Sequence, residues 1–185
     1  MRRLLLVALL LLAGCAADPK PPPPIGGSAA LPGPVPSGLS LRPTPSGAVP
    51  APAVTLPLTD GSTLTVADLW AHRPVVLVFF SSWCTQCAAR QDGLSELART
   101  YRDRVLFVGV AAEDKDADLQ EFLRAHRVEY PVAIDRNRTV WESYAVREPP
   151  AIALVAPGGA LLRGFTGGLD APALDAKLRE LVLAA

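Results

Sequence analysis

Six consecutive apolar residues, Val75-Val76-Leu77-Val78-Phe79-Phe80, run almost directly into Ser82-Trp83-Cys84-Thr85-Gln86-Cys87. A short run that is β-branched and aromatic, with no polar alternation, predicts a strand buried on both faces. Beyond Cys87 the apolar period changes. Leu94, Leu97, Ala98 and Tyr101 recur at three- and four-residue steps, one stripe of an amphipathic helix. Two cysteines therefore fall where a buried strand hands over to a helix N-terminus. Unpaired backbone N–H groups and the positive end of the helix dipole favour an anion there. A thiolate is such an anion, and a cysteine so placed has its pKa lowered. Cys84 is thus expected to be the attacking sulfur, and Cys87, one turn further in and more buried, the resolving one.

Two other readings of a Cys-x-x-Cys pair stand beside this one. A zinc site needs four ligands. The remaining candidates, Cys15, His72 and His126, show no ligand spacing, so no metal and no cofactor is expected. A purely structural disulfide is the second reading, although so short a loop constrains the unfolded chain little.

The N-terminus reads as an address. Arg2-Arg3 precede an apolar run from Leu4 to Ala13, which is shorter than the roughly 20 apolar residues of a spanning helix and fits a secretory signal over residues 1–14. Leu12-Ala13-Gly14-Cys15 resembles the lipobox of bacterial lipoproteins. That resemblance implies cleavage before Cys15, lipidation of its sulfur, and anchoring in the lipid bilayer. Lipidation of Cys15 leaves an even pair in a compartment where disulfides persist. Residues 15–53 are rich in Pro, Gly, Ser and Ala and carry no apolar period. They are expected to form a semi-rigid, polyproline-like tether, with a reach on the order of 100 Å at about 3.1 Å per residue.

The folded part is expected to be a single domain over residues 54–185. Eighteen basic residues balance eighteen acidic ones with no basic run, which argues against nucleic acid as a partner. Val54 to Leu58 and Leu64 to Val66, joined by Asp60-Gly61, predict a hairpin. A helical turn over Ala67 to Ala71 precedes the first core strand. The helix after Cys84 is expected to end near Asp103, followed by a buried strand over Val105 to Ala111. Asp116 to His126 reads as a helix, Val132 to Ile134 as a short strand, and Arg138 to Tyr144 as another helix. Ala151 to Ala156 and Ala160 to Gly164 form a second hairpin around Pro157-Gly158-Gly159. A last helix starts at Asp170 with Pro172 in its first turn and buries Leu174, Leu178, Leu181 and Val182. Strands alternating with helices, closed by a hairpin and a helix, make an α/β fold with a mixed sheet.

The succession of Val75 to Cys87, Val105 to Val110, Tyr130 to Asp135, and Tyr144 through Pro150 to Gly159 resembles the TlpA/ResA-type thioredoxin-like family of thiol–disulfide oxidoreductases. The resemblance implies a thioredoxin-like fold, a central mixed β-sheet flanked by helices with an N-terminal β-hairpin extension. It also implies protein disulfide substrates, in some members the haem-binding cysteines of apocytochrome c, and recharging by a membrane thiol electron donor. Localisation would be extracytoplasmic, facing the periplasm or the cell exterior. Carried over by residue, Cys84 is the nucleophile, Cys87 the resolving thiol, Trp83 a flanking aromatic packed beside the site, and Pro150 the proline that is cis in this fold. Thr85 and Gln86 separate the cysteines and would tune the potential.

Three departures from that pattern bear on function. The residue before the cis-proline usually offers its backbone N–H to an extended substrate, and Pro149 has none. Arg90 stands where the family often has a glutamate three residues after the second cysteine. It either folds back toward the sulfurs, lowering their pKa, or reaches into solvent. Val78 occupies the place of thioredoxin's buried carboxylate. Asp68, Asp135 and Glu148 are other acids, and nothing in the sequence brings one to the cysteines. His72 and His126 read as solvated. Alternatives remain: a thiol peroxidase, which would want Pro-x-x-x-Thr-x-x-Cys, a copper-related thioredoxin-like protein, and a non-catalytic lipoprotein with a structural disulfide.

Overall fold

The computed structural model describes residues 22–184. The expected signal peptide, Cys15 and the beginning of the tether lie outside the described residues. The apolar run is β3 (Val75–Phe80), preceded by the small hairpin β1 (Thr55–Pro57) and β2 (Thr63–Thr65) and by one helical turn, α1 (Val66–Leu69). After β3 come α2 (Thr85–Tyr101), β4 (Leu106–Ala111), α3 (Asp116–Ala125), β5 (Val132–Ile134), α4 (Thr139–Ser143), the hairpin β6 (Ala151–Val155) and β7 (Leu161–Thr166), and α5 (Ala171–Leu181).

The five-stranded sheet has the order β5-β4-β3-β6-β7. β3 lies at its centre, parallel to β4 and antiparallel to β6. All six β3 residues are buried, because each face of the sheet carries its own core. Val76, Val78 and Phe80 pack with Leu94 and Leu97 of α2, Leu119 and Leu123 of α3, and Leu174 and Leu178 of α5. Val75, Leu77 and Phe79 pack with Leu64, Val66, Trp70, Val140 and Trp141, contributed by the first hairpin, α1 and α4. Each such side chain contributes about 1.5–3 kcal/mol through removal from water. Polar alternation along β3 would forfeit one core or the other. Gly109 in β4 has a different reason: a Cβ there would lie 2.8 Å from the Phe80 ring, so the close passage of that ring requires glycine.

Several boundaries differ from expectation by local geometry. α2 stops at Tyr101 rather than near Asp103. α4 is confined to Thr139–Ser143 because Arg138 adopts φ +58° and cannot continue a helix backwards. β7 runs on to Thr166, two residues beyond Gly164. Leu181 is only half-buried, whereas Leu174, Leu178 and Val182 are fully buried.

The larger difference concerns the described part of the Pro-rich stretch. Residues 22–53 run along the domain instead of leading away from it. Ile25 N–H donates to Gln120 Oε1 at 2.8 Å, and the Ile25 carbonyl accepts from Thr59 Oγ1 and Gln120 Nε2. Val132 N–H donates to the Gly26 carbonyl at 2.7 Å. Ser28 donates through both its amide and hydroxyl to Asp60 Oδ2, each at 2.7 Å. Further along, Leu41 bridges Leu183 and Pro50 bridges Ala160. Prolines supply no donor, but the residues interspersed among them pair singly with edges of the fold. Composition alone did not reveal the surface that receives this stretch, nor the short helical turn at Ser28–Ala30 within it.

Candidate redox site

The loop after β3 brings Cys84 to the N-cap of α2, as the strand-to-helix transition predicts. Its Sγ accepts the Cys87 N–H at 3.0 Å, so one orphan donor of the first helical turn points at the sulfur. Cys84 and Cys87 are joined as a disulfide with Cα atoms 5.2 Å apart. The expected contrast in burial is slight, since Cys84 is 6% and Cys87 4% exposed. Thr85 and Gln86, between them, are exposed.

The turn carrying Cys84 is held from the side by the loop that leaves β4. Ser81 Oγ donates to the Ala112 carbonyl at 2.6 Å, Ser82 N–H to Asp114 Oδ1 at 2.7 Å, and Trp83 Nε1 to the Glu113 carbonyl at 3.3 Å. Trp83, next to Cys84, is 57% exposed.

The Pro149–Pro150 peptide bond is cis. Pro150 is buried and Pro149 partly so. Pro150 lines a narrow cleft together with Cys87, Arg90, Gln91 and Gly168. Gly168 has φ +65°, and a Cβ there would stand 3.0 Å from Pro150 Cβ and 3.2 Å from Arg90 Nη1. Only glycine allows that loop, in its left-handed conformation, to close on the proline. Arg90 donates to the Gly167 carbonyl and lines the same cleft as Cys87.

The other acids take the places their surroundings dictate. Val78 is packed in the core beneath the cysteines. Asp135 is buried and accepts the N–H groups of Val140 and Trp141, both at 2.9 Å, so it caps α4. Asp68 and Glu148 are exposed. The acid that sequence reasoning missed is Asp114. Its Oδ1 holds the Ser82 amide, while its Oδ2 is the one buried side-chain polar atom without a partner among the described residues. Burial pushes its carboxyl above the usual range, opposed by the Ser82 hydrogen bonds and aided by Asp118 and Glu113. The available signal was position: Glu113-Asp114 directly follows a parallel strand, and loops at those C-terminal ends converge on the sites of α/β sheets. His126 departs from the solvated reading, for its ring packs on Phe122 and its Nδ1 lies 3.0 Å from Asp92 Oδ1. Among the described residues, no group of three His, Cys, Asp or Glu side chains is placed to hold a metal. No described helix is long and apolar enough to cross a membrane.

Comparison with known proteins agrees with this geometry. Residues 48–164 match the AhpC/TSA family. The thiol-disulfide oxidoreductase ResA of Oceanobacillus iheyensis is 25% identical over 123 residues, which are 66% of this chain and 64% of that protein. The chain thus matches a little under two thirds of that relative's length. Among solved structures, MTB DsbF, described in mixed oxidized and reduced forms, superposes with a TM-score of 0.64 at 27% identity, covering 68% of this chain and 92% of that one. The exposed lipoprotein thioredoxin Etrx1 of Streptococcus pneumoniae gives 0.62 at 26% identity, covering 70% of this chain and all of the other. With more than half of its residues matched and a disulfide at the N-cap of the helix after the central strand, the chain belongs to the AhpC/TSA family and has the thioredoxin-like fold.

Proposed function

We propose that the chain is an exported thiol–disulfide oxidoreductase that reduces disulfides in other exported proteins through Cys84 and Cys87. The observation that carries this reading is the Cys84–Cys87 pair at the α2 N-cap, with Cys84 Sγ accepting a backbone N–H and Pro150 lining the cleft beside Cys87. In the reduced protein the Cys84 thiolate attacks one sulfur of a substrate disulfide. The Cys84–substrate bond forms as the substrate S–S bond breaks, and the leaving sulfur takes a proton. Cys87 then gives up its proton and attacks Cys84 Sγ, which releases the second substrate thiol and restores the intramolecular disulfide. Two electrons pass to the substrate, and a membrane thiol donor returns them to the pair.

Cys15 is proposed as the lipid anchor. Nine residues, Ala16 to Pro24, separate it from the first docked residue, Ile25. Fully extended, they reach about 28 Å, so the site would work close to the membrane that holds its donor. Clients whose cysteines must stay reduced outside the cytoplasm, apocytochrome c among them, fit this placement. A peroxidase is disfavoured within the family because Phe80-Ser81-Ser82-Trp83 precedes Cys84 in place of the threonine-containing peroxidase motif.

The test is the reduction potential of the pair by equilibration with glutathione or dithiothreitol, together with turnover of a protein disulfide. A value toward that of thioredoxin, about −270 mV, supports a reductase. A value near −120 mV, that of a strong oxidant, reverses the direction of flow. A disulfide that neither reagent opens rules out the redox reading.

A further inference from the structure

We propose that Asp114 sets the redox poise of the dithiol: its carboxylate holds the turn that presents Cys84 and, by its fixed negative charge, opposes the Cys84 thiolate and keeps the pair reducing. This rests on the oxidoreductase reading above and concerns how the potential of the same site is fixed.

Asp114 is tied to the nucleophile through two residues of backbone. Its Oδ1 lies 2.7 Å from Ser82 N, and Cys84 N–H in turn donates to the Ser81 carbonyl at 3.1 Å. The hold on the turn alone does not account for a carboxylate. Ser82 needs one acceptor, which a neutral side chain supplies, whereas the second oxygen is buried with no partner, an arrangement that destabilises the fold. Among the described residues, no lysine or arginine forms an ion pair with it. The neighbouring Glu113 pairs with Arg138 at 3.0 Å and Asp116 with Arg136 at 2.8 Å. Asp118, in the first turn of α3, and Lys115 are exposed. Val78 stands in the same apolar core as both cysteines. Asp114 therefore bears on the Cys84 side of the pair, and Arg90 on the Cys87 side.

The consequence follows from charge balance. The disulfide takes up two electrons and ends either as a thiolate and a thiol, with one proton bound, or as two thiols, with two. A carboxylate held on the Ser82 amide, two residues before Cys84, disfavours the thiolate form. The reduced state loses that stabilisation, and the pair becomes the stronger electron donor.

The experiment is Asp114→Asn in the purified protein, since asparagine keeps an oxygen for Ser82 and removes the charge. The reduced form is expected to gain about tenfold in equilibrium with glutathione, a potential about 30 mV less negative. Alkylation of Cys84 is expected to speed up below pH 7. Asp116→Asn, a loss of charge two residues on at the start of α3, should move neither readout. Should Asp114→Asn fold poorly, Asp114→Ser also removes the charge and carries the same expectation. Wild-type potential and alkylation profile in the neutral variant would overturn the proposal and leave the oxidoreductase reading intact. A wild-type disulfide that resists mild reductants would overturn both.

Discussion

The chemistry of the site is divided among few residues, and each division is separable by substitution. Cys84→Ser should abolish disulfide exchange, whereas Cys87→Ser should accumulate a mixed disulfide with substrate, visible as an added mass on the intact protein. Arg90 donates to the Gly167 carbonyl and lines the cleft with Cys87, so Arg90→Glu replaces an attracting charge by a repelling one. The pH midpoint of cysteine alkylation should rise by about one unit, and an unchanged midpoint would show that solvent screens the guanidinium. Pro149 supplies no N–H for an extended substrate. Pro149→Thr restores one donor, worth about 1 kcal/mol, and should lower KM for a peptide disulfide severalfold with kcat little changed. Asp114 gives a stability signature of its own. Its carboxyl is raised by burial, so the native state binds a proton more tightly than the unfolded state. Stability should therefore fall as pH rises from about 3.9 through the raised value. Asp114→Asn should flatten that part of the thermal melting profile.

At the scale of elements, the site is positioned by a strand that cannot shift. β3 is buried on both faces and paired on both edges, so its end fixes the start of α2. Gly109→Ala tests that rigidity, because the added carbon meets the Phe80 ring at 2.8 Å. A loss of about 1–3 kcal/mol in denaturant unfolding is expected, with the exchange chemistry retained in the protein that remains folded. The last helix is anchored by ordinary capping. Asp170 accepts the Ala173 N–H at 2.9 Å at the start of α5, and its replacement by alanine should destabilise by about 1 kcal/mol. These elements were legible because apolar periodicity and caps are local. Arg138 marks the limit: its left-handed φ of +58° shortened α4, and a basic side chain carries no sequence signal for that conformation.

Over the whole molecule, the described part of the Pro-rich stretch contacts the domain at Ile25, Gly26, Ser28, Leu41 and Pro50. Gly27 shows how specific the docking is, since a Cβ there would lie 2.5 Å from Asp60 Oδ2. Gly27→Leu should release the segment, seen as rapid proteolysis within residues 28–53 while residues 54–184 stay resistant. Asp60 holds the same contact against acid. The Ser62 hydroxyl, then the Ser28 hydroxyl and amide, keep its carboxyl well below the usual carboxylate range. Its contribution is fully present above the unfolded value of about 3.9 and is lost as pH falls through the depressed native value. Docking should thus be unchanged between pH 5 and 8 and weaken only in strong acid, as proteolysis with an acid-active protease would report.

The sequence by itself determined the order of strands and helices, the double burial of β3, and the placement of two cysteines at a helix N-terminus. All three follow from side-chain periodicity and backbone donors within a few residues of one another. The tertiary structure decided what depends on distant segments meeting. It brought Asp114 to Ser82, 32 positions away, and turned Arg90 toward Gly167, 77 positions away. It also laid the Pro-rich stretch on β5 and β7 rather than into solvent. Such contacts depend on which surfaces the packed sheet leaves open, and neither composition nor spacing encodes that.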